Sequence, residues 1–169
     1  FRKKGHNAYS CDIIPSEKGN EFHIQKDVRD LDYTKFDLGI FFPPCTYLCV
    51  SGARWFSKRQ KEQKEALRFV KFLMDLPISK IAIENPIGVI STKIRKPDQI
   101  IQPYQFGHGE TKATCLWLKN LPVLTPTDMV KGRDHRIHLM KPGKNRSKDR
   151  SRSYIGIAKA MADQWDRII

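Results

Sequence analysis

The chain of 169 residues is long enough for one domain with a hydrophobic core, and its 40% hydrophobic content excludes a disordered protein. No apolar run approaches the roughly 20 residues of a membrane-spanning helix and no signal peptide is visible, so we expect a cytoplasmic protein without a membrane partner. Residues 51–169 hold 24 of the 31 basic side chains but only 11 of the 18 acidic ones. This local excess of positive charge indicates a polyanionic partner, with nucleic acid as the first candidate.

Three short strands are predicted in the first part of the chain. Two of them, 8–11 and 22–25, are each followed closely by an acidic residue, Asp12 and Asp27 respectively. The third segment, 36–42, is almost wholly apolar, which is typical of a buried parallel strand.

The remaining chain predicts two helices and two further strands. Residues 58–75 repeat apolar side chains at helical spacing, and a last amphipathic helix is predicted over 155–169. Strands are predicted over 80–83 and 111–118. The segment 131–152 is basic and rich in turn-forming residues, so we interpret it as a loop or extended arm of the single domain 1–169.

Strands that alternate with helices indicate an α/β fold with a parallel sheet and right-handed crossovers. In such sheets ligands bind at the carboxyl ends of the strands. Asp12, Asp27, Cys45 and Glu84 all come directly after predicted strands, so we expect them on one rim. Each of them alone is also compatible with a turn residue or a helix cap.

Two motifs carry most of the chemical information. The turn Pro43-Pro44-Cys45 follows the apolar strand, and Glu84-Asn85-Pro86 follows the next predicted strand. A cysteine and a carboxylate at neighbouring strand ends can attack and protonate the same flat heterocycle. The sequence therefore predicts Cys45 as a nucleophile and Glu84 as a proton donor.

The order of these motifs resembles that of the DNA cytosine-5 methyltransferases, and more closely that of small phage-encoded proteins similar to them. Pro44-Cys45-Thr46 followed by Ser51-Gly52 matches the nucleophile turn, and Glu84-Asn85-Pro86 matches the family's Glu-Asn-Val motif. The resemblance implies a Rossmann-like α/β fold, with a mostly parallel sheet and helices on both faces. It also implies S-adenosylmethionine as the cofactor, DNA as the partner and, for a phage-encoded protein, a bacterial host's cytoplasm.

The resemblance also assigns roles to individual residues. Asp12 takes the place of the residue that binds the cofactor ribose, Asp27 that of the residue that reads the adenine, and Pro43 belongs to the same cofactor site. Pro44, Asn85 and Lys112 are expected to contact the target base, with Lys112 a stand-in for a family arginine. Phosphate contacts are expected from the basic segment: Lys131, Arg133, Arg136, Lys144, Arg146, Lys148, Arg150 and Arg152.

The chain departs from the family in several places. Thr46 replaces the glutamine that follows the cysteine, and the Gly-rich first loop would precede Phe1. Only the basic segment 131–152 could replace the large target-recognition region. We therefore keep a second hypothesis, a non-catalytic or repurposed methyltransferase fold that binds nucleic acid or processes a base in another way.

The proposed chemistry sets opposite demands on the two catalytic groups. Cytosine C5 becomes nucleophilic only after a thiolate adds to C6, so we expect Arg54, Lys58 and Arg59 to lower the pKa of Cys45. Protonation of the ring at N3 requires a neutral acid, so we expect burial to raise the pKa of Glu84.

Two other chemistries fit the sequence less well. Methyltransferases of exocyclic amines place a polar side chain directly before the two prolines, where this chain has Phe42. Cys45 and Cys49 have a spacing found in zinc sites, but only His135 and His138 offer a second pair. We therefore predict no metal site.

Overall fold

The structure is a computed structural model of the chain. It describes residues 1–17, 19, 21–141, 143–144 and 146–169, apart from the side chains of His138, Ser147 and Lys148. The predicted phosphate contact of Lys148 and the predicted pairing of His138 thus lie outside the described side chains. Among the described helices, none combines the length and the apolar character needed to cross a membrane.

The strands form two separate sheets. The smaller sheet pairs β1 with β2 in parallel, and the larger sheet has the strand order β3-β4-β6-β5. In the larger sheet β3 and β4 are parallel, whereas β6 is antiparallel to both β4 and β5. The strands are β1 (Ser10–Asp12), β2 (His23–Gln25), β3 (Leu38–Phe41), β4 (Lys80–Pro86), β5 (Gln99–Ile101) and β6 (Thr114–Lys119).

Helices are concentrated after β3 and at the end of the chain. A 3₁₀ helix, Val50–Lys58, leads into α1, which crosses from β3 to β4 and ends before Pro77. The predicted basic loop 131–152 contains two short helices instead of being wholly irregular. The α-helices are α1 (Gln60–Met74), α2 (Ile90–Lys93), α3 (Arg136–Leu139), α4 (Arg146–Ser151) and α5 (Ile155–Trp165).

Two clusters of buried side chains hold the larger sheet in place. One joins Val70 and Leu73 of α1 to Ile83 of β4, and the other joins Ala82 of β4 to Trp165 of α5. Neighbouring residues of β4 thus belong to different clusters, as the period of two along a strand requires. Burial on both sides fixes the register of β4 and therefore the position of the Glu84-Asn85 pair at its end.

The predicted Rossmann-like fold, a mostly parallel sheet with helices on both faces, is wrong. The strands divide into two sheets, and two of the three pairings in the larger sheet are antiparallel. A parallel connection within a sheet needs a long crossover, usually a helix, and in the larger sheet only the β3–β4 connection contains a long helix. Residues 102–113, between β5 and β6, carry only a 3₁₀ turn, Pro103–Gln105, so the chain reverses and β6 returns antiparallel.

Candidate active site

Cys45 lies at the start of a helical turn that follows β3. Two prolines, the first of them buried, separate it from the strand and stiffen the approach. The backbone N–H groups of Leu48 and Cys49 both donate to the carbonyl oxygen of Cys45 at 3.0 Å. The half-buried thiol is therefore held between a rigid diproline and a closed turn.

A buried hydrogen bond joins the two predicted motifs. Parallel pairing places Phe41 beside Ile83, so the chain leaves β3 next to the end of β4. There the side-chain Nδ2 of Asn85 donates to the carbonyl oxygen of Pro43 at 2.8 Å. Asn85 is 1% exposed, and its Oδ1 has no hydrogen-bond partner within the described structure. Asn85 thus fixes the turn that carries Cys45 relative to Glu84.

The same two loops are joined again after Cys45. The N–H of Val50 donates to the carbonyl of Ile87 at 3.0 Å, and the N–H of Val89 donates to that of Leu48 at 2.9 Å. Gly88 permits this approach, because a Cβ built there would lie 2.1 Å from the Leu48 carbonyl oxygen. Residues 45–50 and 84–89 therefore form one hydrogen-bonded unit.

The surroundings of Glu84 favour its neutral form. Burial raises the pKa of Glu84, and it outweighs the opposing effects of Lys112 and of a hydrogen bond with Thr114. This is the direction that a proton donor needs. Thr114 was not among the predicted site residues, although it lies two residues beyond Lys112, the spacing that places side chains on one face of an extended segment.

The pKa of Cys45 changes in the direction opposite to the one we expected. Burial raises it most, Cys49 and Glu84 raise it further, and a backbone hydrogen bond and Lys112 lower it only in part. The cations predicted to activate the thiol, Arg54 among them, are not among the causes. The surroundings of Cys45 therefore favour the protonated thiol over the thiolate.

Lys112 lies within electrostatic reach of both groups, since it lowers the pKa of Glu84 and of Cys45. Its backbone N–H donates to the Oε1 of Gln102 at 3.0 Å, and its Nζ lies 5.8 Å from the centre of the Tyr154 ring. The structure thus brings Lys112 together with the cysteine and the glutamate.

Asp12 and Asp27 do not share this rim, because β1 and β2 form a separate sheet. The Oδ1 of Asp12 accepts a hydrogen bond from the N–H of Ile14 at 3.2 Å. Asp27 caps a 3₁₀ turn and accepts from the backbone and side chain of Arg29, which lowers the pKa of its carboxyl to about 2. The expectation that one sheet carries all four groups on its rim is therefore wrong; Asp12 accepts a hydrogen bond within a local turn, and Asp27 caps a 3₁₀ turn.

An apolar cleft of about 460 Å³ lies between the two sheets. Its walls include Cys11, which directly precedes Asp12, and Val28, which directly follows Asp27. The volume is within the range of small-molecule sites, and both aspartates lie at positions flanking the wall. Aromatic and aliphatic side chains form most of the lining, among them Tyr9, Ile24, Phe36, Phe41, Phe42 and Met161.

The predicted phosphate-binding residues differ in the partners that their charged groups already have within the protein. Arg136 donates to both carboxylate oxygens of Glu110 at 2.8 and 3.0 Å, so its charge is already neutralised. Arg133 lies over the Tyr104 ring at 3.6 Å, and Arg146 donates to the Met140 carbonyl at 2.9 Å. The half-buried Arg150 lies in α4.

The Tyr154 hydroxyl also donates to Glu110, so this glutamate accepts hydrogen bonds from both Arg136 and Tyr154. These contacts were not predicted from the sequence. Burial raises the pKa of Glu110, but the hydrogen bonds from Tyr154 and Arg136 outweigh it and the pKa falls. Glu110 thus ties α5 and the start of α3 to the segment that carries Lys112.

Within the described residues, no group of three or more histidine, cysteine, aspartate or glutamate side chains could hold a metal ion. A comparison with models of protein families finds no match, and a comparison with curated proteins finds no significant similarity.

Proposed function

We propose that the protein transfers a methyl group from S-adenosylmethionine to C5 of cytosine in nucleic acid, with DNA as the first candidate, by covalent catalysis through Cys45. The observation that supports this most is the buried Asn85–Pro43 hydrogen bond, which ties the cysteine turn to the glutamate strand. This hydrogen bond fixes the position of the nucleophile Cys45 relative to the neutral acid Glu84. The two motifs follow each other along the chain in the order found in the cytosine-5 methyltransferases.

In the proposed reaction Cys45 gives its proton to solvent and its Sγ forms a bond to C6 of the ring. Glu84 gives its proton to N3, which lets C5 act as a nucleophile. When bound, the cofactor would supply an electrophilic methyl group, with S-adenosylhomocysteine as the second product. After methylation the C5 proton leaves to solvent, the S–C6 bond breaks with its electron pair returning to Sγ, Cys45 regains a proton from solvent, and N3 returns its proton to Glu84. The raised pKa of Glu84 suits the donor role.

The cleft between the two sheets is the proposed cofactor site. Its size and its aromatic lining fit an adenosine group, and Asp12 and Asp27 at its margin would face the ribose and the adenine. The pairing of Asp27 with Arg29 must open for a direct contact with adenine, whereas the hydrogen bond described for Asp12 uses its Oδ1.

The proposed substrate is an unpaired or flipped cytosine, because C6 is covered by neighbouring bases inside a duplex. Arg133, Arg146 and Arg150 are the proposed phosphate contacts from the basic segment, and Arg136 is a weaker candidate because Glu110 already pairs with it. Pro44 and Asn85 would shape the pocket for the base.

A protein that binds nucleic acid without methylating it is the second candidate. The raised pKa of Cys45 favours this alternative, because a protonated thiol is a poor nucleophile. Binding of nucleic acid without any product would identify it.

Product analysis tests the proposal. We would incubate the protein with S-adenosylmethionine and a cytosine-containing DNA oligonucleotide, digest it, and measure 5-methyl-2′-deoxycytidine and N4-methyl-2′-deoxycytidine by mass spectrometry. We expect only the 5-methyl product, abolished in Cys45→Ala and Glu84→Gln and retained in the control Cys49→Ala. Both inactive variants should keep their affinity for the oligonucleotide. If Glu84→Gln reduced affinity and product equally, its role as proton donor would be refuted.

A further inference from the structure

An exposed apolar and basic surface surrounds the segment that carries Cys45. We define the 45–59 surface as the solvent-accessible side chains of residues 45–59 together with that of Ile87, which the Val50–Ile87 hydrogen bond holds beside it. The large apolar side chains of Val50, Trp55 and Ile87 are 54%, 45% and 42% exposed. No residue of the 3₁₀ helix Val50–Lys58 is buried. Large exposed apolar side chains beside a candidate active site are typical of a binding surface.

The charge of this surface selects an anionic partner. No acidic residue occurs in the sequence between Asp37 and Glu62, whereas Arg54, Lys58 and Arg59 all lie within it. Among the described residues, none of these three cations has a carboxylate within ion-pair distance. They differ in this respect from cations elsewhere in the chain that already carry a carboxylate partner, as Arg136 does.

Aromatic rings alternate with these cations. The Arg54 guanidinium lies 5.1 Å from the centre of the Trp55 ring, and that of Arg59 lies 5.7 Å from the centre of the Tyr47 ring. Surfaces for single-stranded nucleic acid combine cations that follow the backbone with rings on which bases stack. A duplex offers its phosphates to such a surface but keeps its bases stacked on each other.

We propose that the 45–59 surface binds an unpaired nucleic-acid strand, with Trp55 as the stacking platform for a base next to the target nucleotide. This proposal rests on the proposed function, because that function defines the target nucleotide. It adds that the substrate is a single strand in preference to a duplex. Arg54, Lys58 and Arg59 contact the phosphates of that strand.

Fluorescence anisotropy with a labelled strand of about 12 nucleotides, alone and as a duplex, tests the proposal. We expect the wild type to bind the single strand more tightly. Because stacking on one ring contributes about 1–3 kcal/mol, Trp55→Ala should weaken single-strand binding by about 5-fold to 150-fold. Trp55→Phe should restore most of the affinity, since it keeps an aromatic face.

Two controls separate stacking from other causes. Ile100→Ala removes an exposed apolar side chain from β5, at the opposite edge of the larger sheet, and should leave binding unchanged. Polyglutamate of similar length should not compete with the oligonucleotide at equal charge. Equal binding by the wild type and Trp55→Ala, tighter binding of the duplex, or effective competition by polyglutamate would each overturn the proposal.

The outcome is distinguishable from that of the methylation test. Binding that depends on Trp55, without any methylated product, would remove the proposed function and keep this surface. Methylated product together with binding that does not depend on Trp55 would support the proposed function and refute the proposal for this surface.

Discussion

Replacing Asn85 by alanine tests whether one buried hydrogen bond holds the candidate site together. The substitution leaves the buried Pro43 carbonyl without its donor, which costs about 1–3 kcal/mol in the free energy of unfolding. It also removes Oδ1, a buried acceptor without a partner in the described structure, and this relieves part of the cost. We therefore expect a net decrease of about 1–2 kcal/mol, which corresponds to a melting temperature lower by roughly 2–8 °C for a chain of this length.

The effect on the rate should exceed the effect on stability. A displacement of about 1 Å in a catalytic group can cost about 100-fold in rate, so we expect methyl transfer by Asn85→Ala to fall by about 10-fold to 100-fold. Thermal unfolding and product formation are measured on the same protein. Asn120→Gly is the matched control: it removes an exposed amide–carbonyl hydrogen bond of 2.8 Å and glycine keeps the positive φ of that position. An Asn85→Ala variant with wild-type stability and rate would refute the reasoning.

Three other variants probe the buried acid, the close approach of the two loops and the basic segment. The raised pKa of Glu84 means that the folded state binds its proton more tightly than the unfolded state does. The free energy of unfolding should therefore fall as pH rises from the ordinary glutamate pKa through the raised one. Urea unfolding at several pH values should show that Glu84→Gln lacks this fall. Gly88→Ala should lower the free energy of unfolding by about 1–3 kcal/mol or more, because its Cβ would clash with the Leu48 carbonyl. Replacing Arg146 and Arg150 together should reduce the salt dependence of nucleic-acid binding by about one unit of log–log slope for each phosphate that is no longer neutralised.

Each of these predictions has a control and a contradicting result. A pH dependence that is unchanged in Glu84→Gln would assign the effect to another group. Gly143→Ala has no heavy atom within 4 Å of the new Cβ and should melt as the wild type does; equal effects at the two glycines would contradict the clash. Arg136→Ala should change the salt slope less than either other arginine, because Glu110 already pairs with Arg136.

The meeting of Cys45 and Glu84 could be predicted from the sequence. An apolar strand, a long amphipathic helix and a second apolar strand form one right-handed parallel unit, and the carboxyl ends of its strands lie side by side. β3, α1 and β4 follow that expectation closely. The raised pKa of Glu84 was also predicted, from the need of the proposed chemistry for a neutral acid that protonates N3.

The arrangement of the other strands could not be predicted in the same way. β5 has only three residues, too few for a clear pattern, and its pairing with β6 sets the antiparallel half of the larger sheet. β1 and β2 pair with each other without joining β3, so the positions of Asp12 and Asp27 depended on a pairing that no local signal encodes. Strand pairing is decided by tertiary packing more than by propensity.

The pKa of Cys45 shows a second limit of sequence reasoning. Arg54 and its basic neighbours are close to the cysteine along the chain, but the 3₁₀ helix presents them to solvent. Lys112, distant in sequence, is the cation that acts on the thiol, and burial exceeds its effect. Proximity in sequence therefore predicted the wrong direction.

Trapping on a modified base tests the central proposal most directly. The full chain is incubated with S-adenosylmethionine and an oligonucleotide that carries 5-fluorocytosine, whose fluorine blocks the departure of the C5 substituent. We predict a stable covalent complex that forms in the wild type and in Cys49→Ala, is absent in Cys45→Ala and maps to the peptide containing Cys45. A protein that binds both cofactor and oligonucleotide but forms no such complex would contradict covalent catalysis by Cys45.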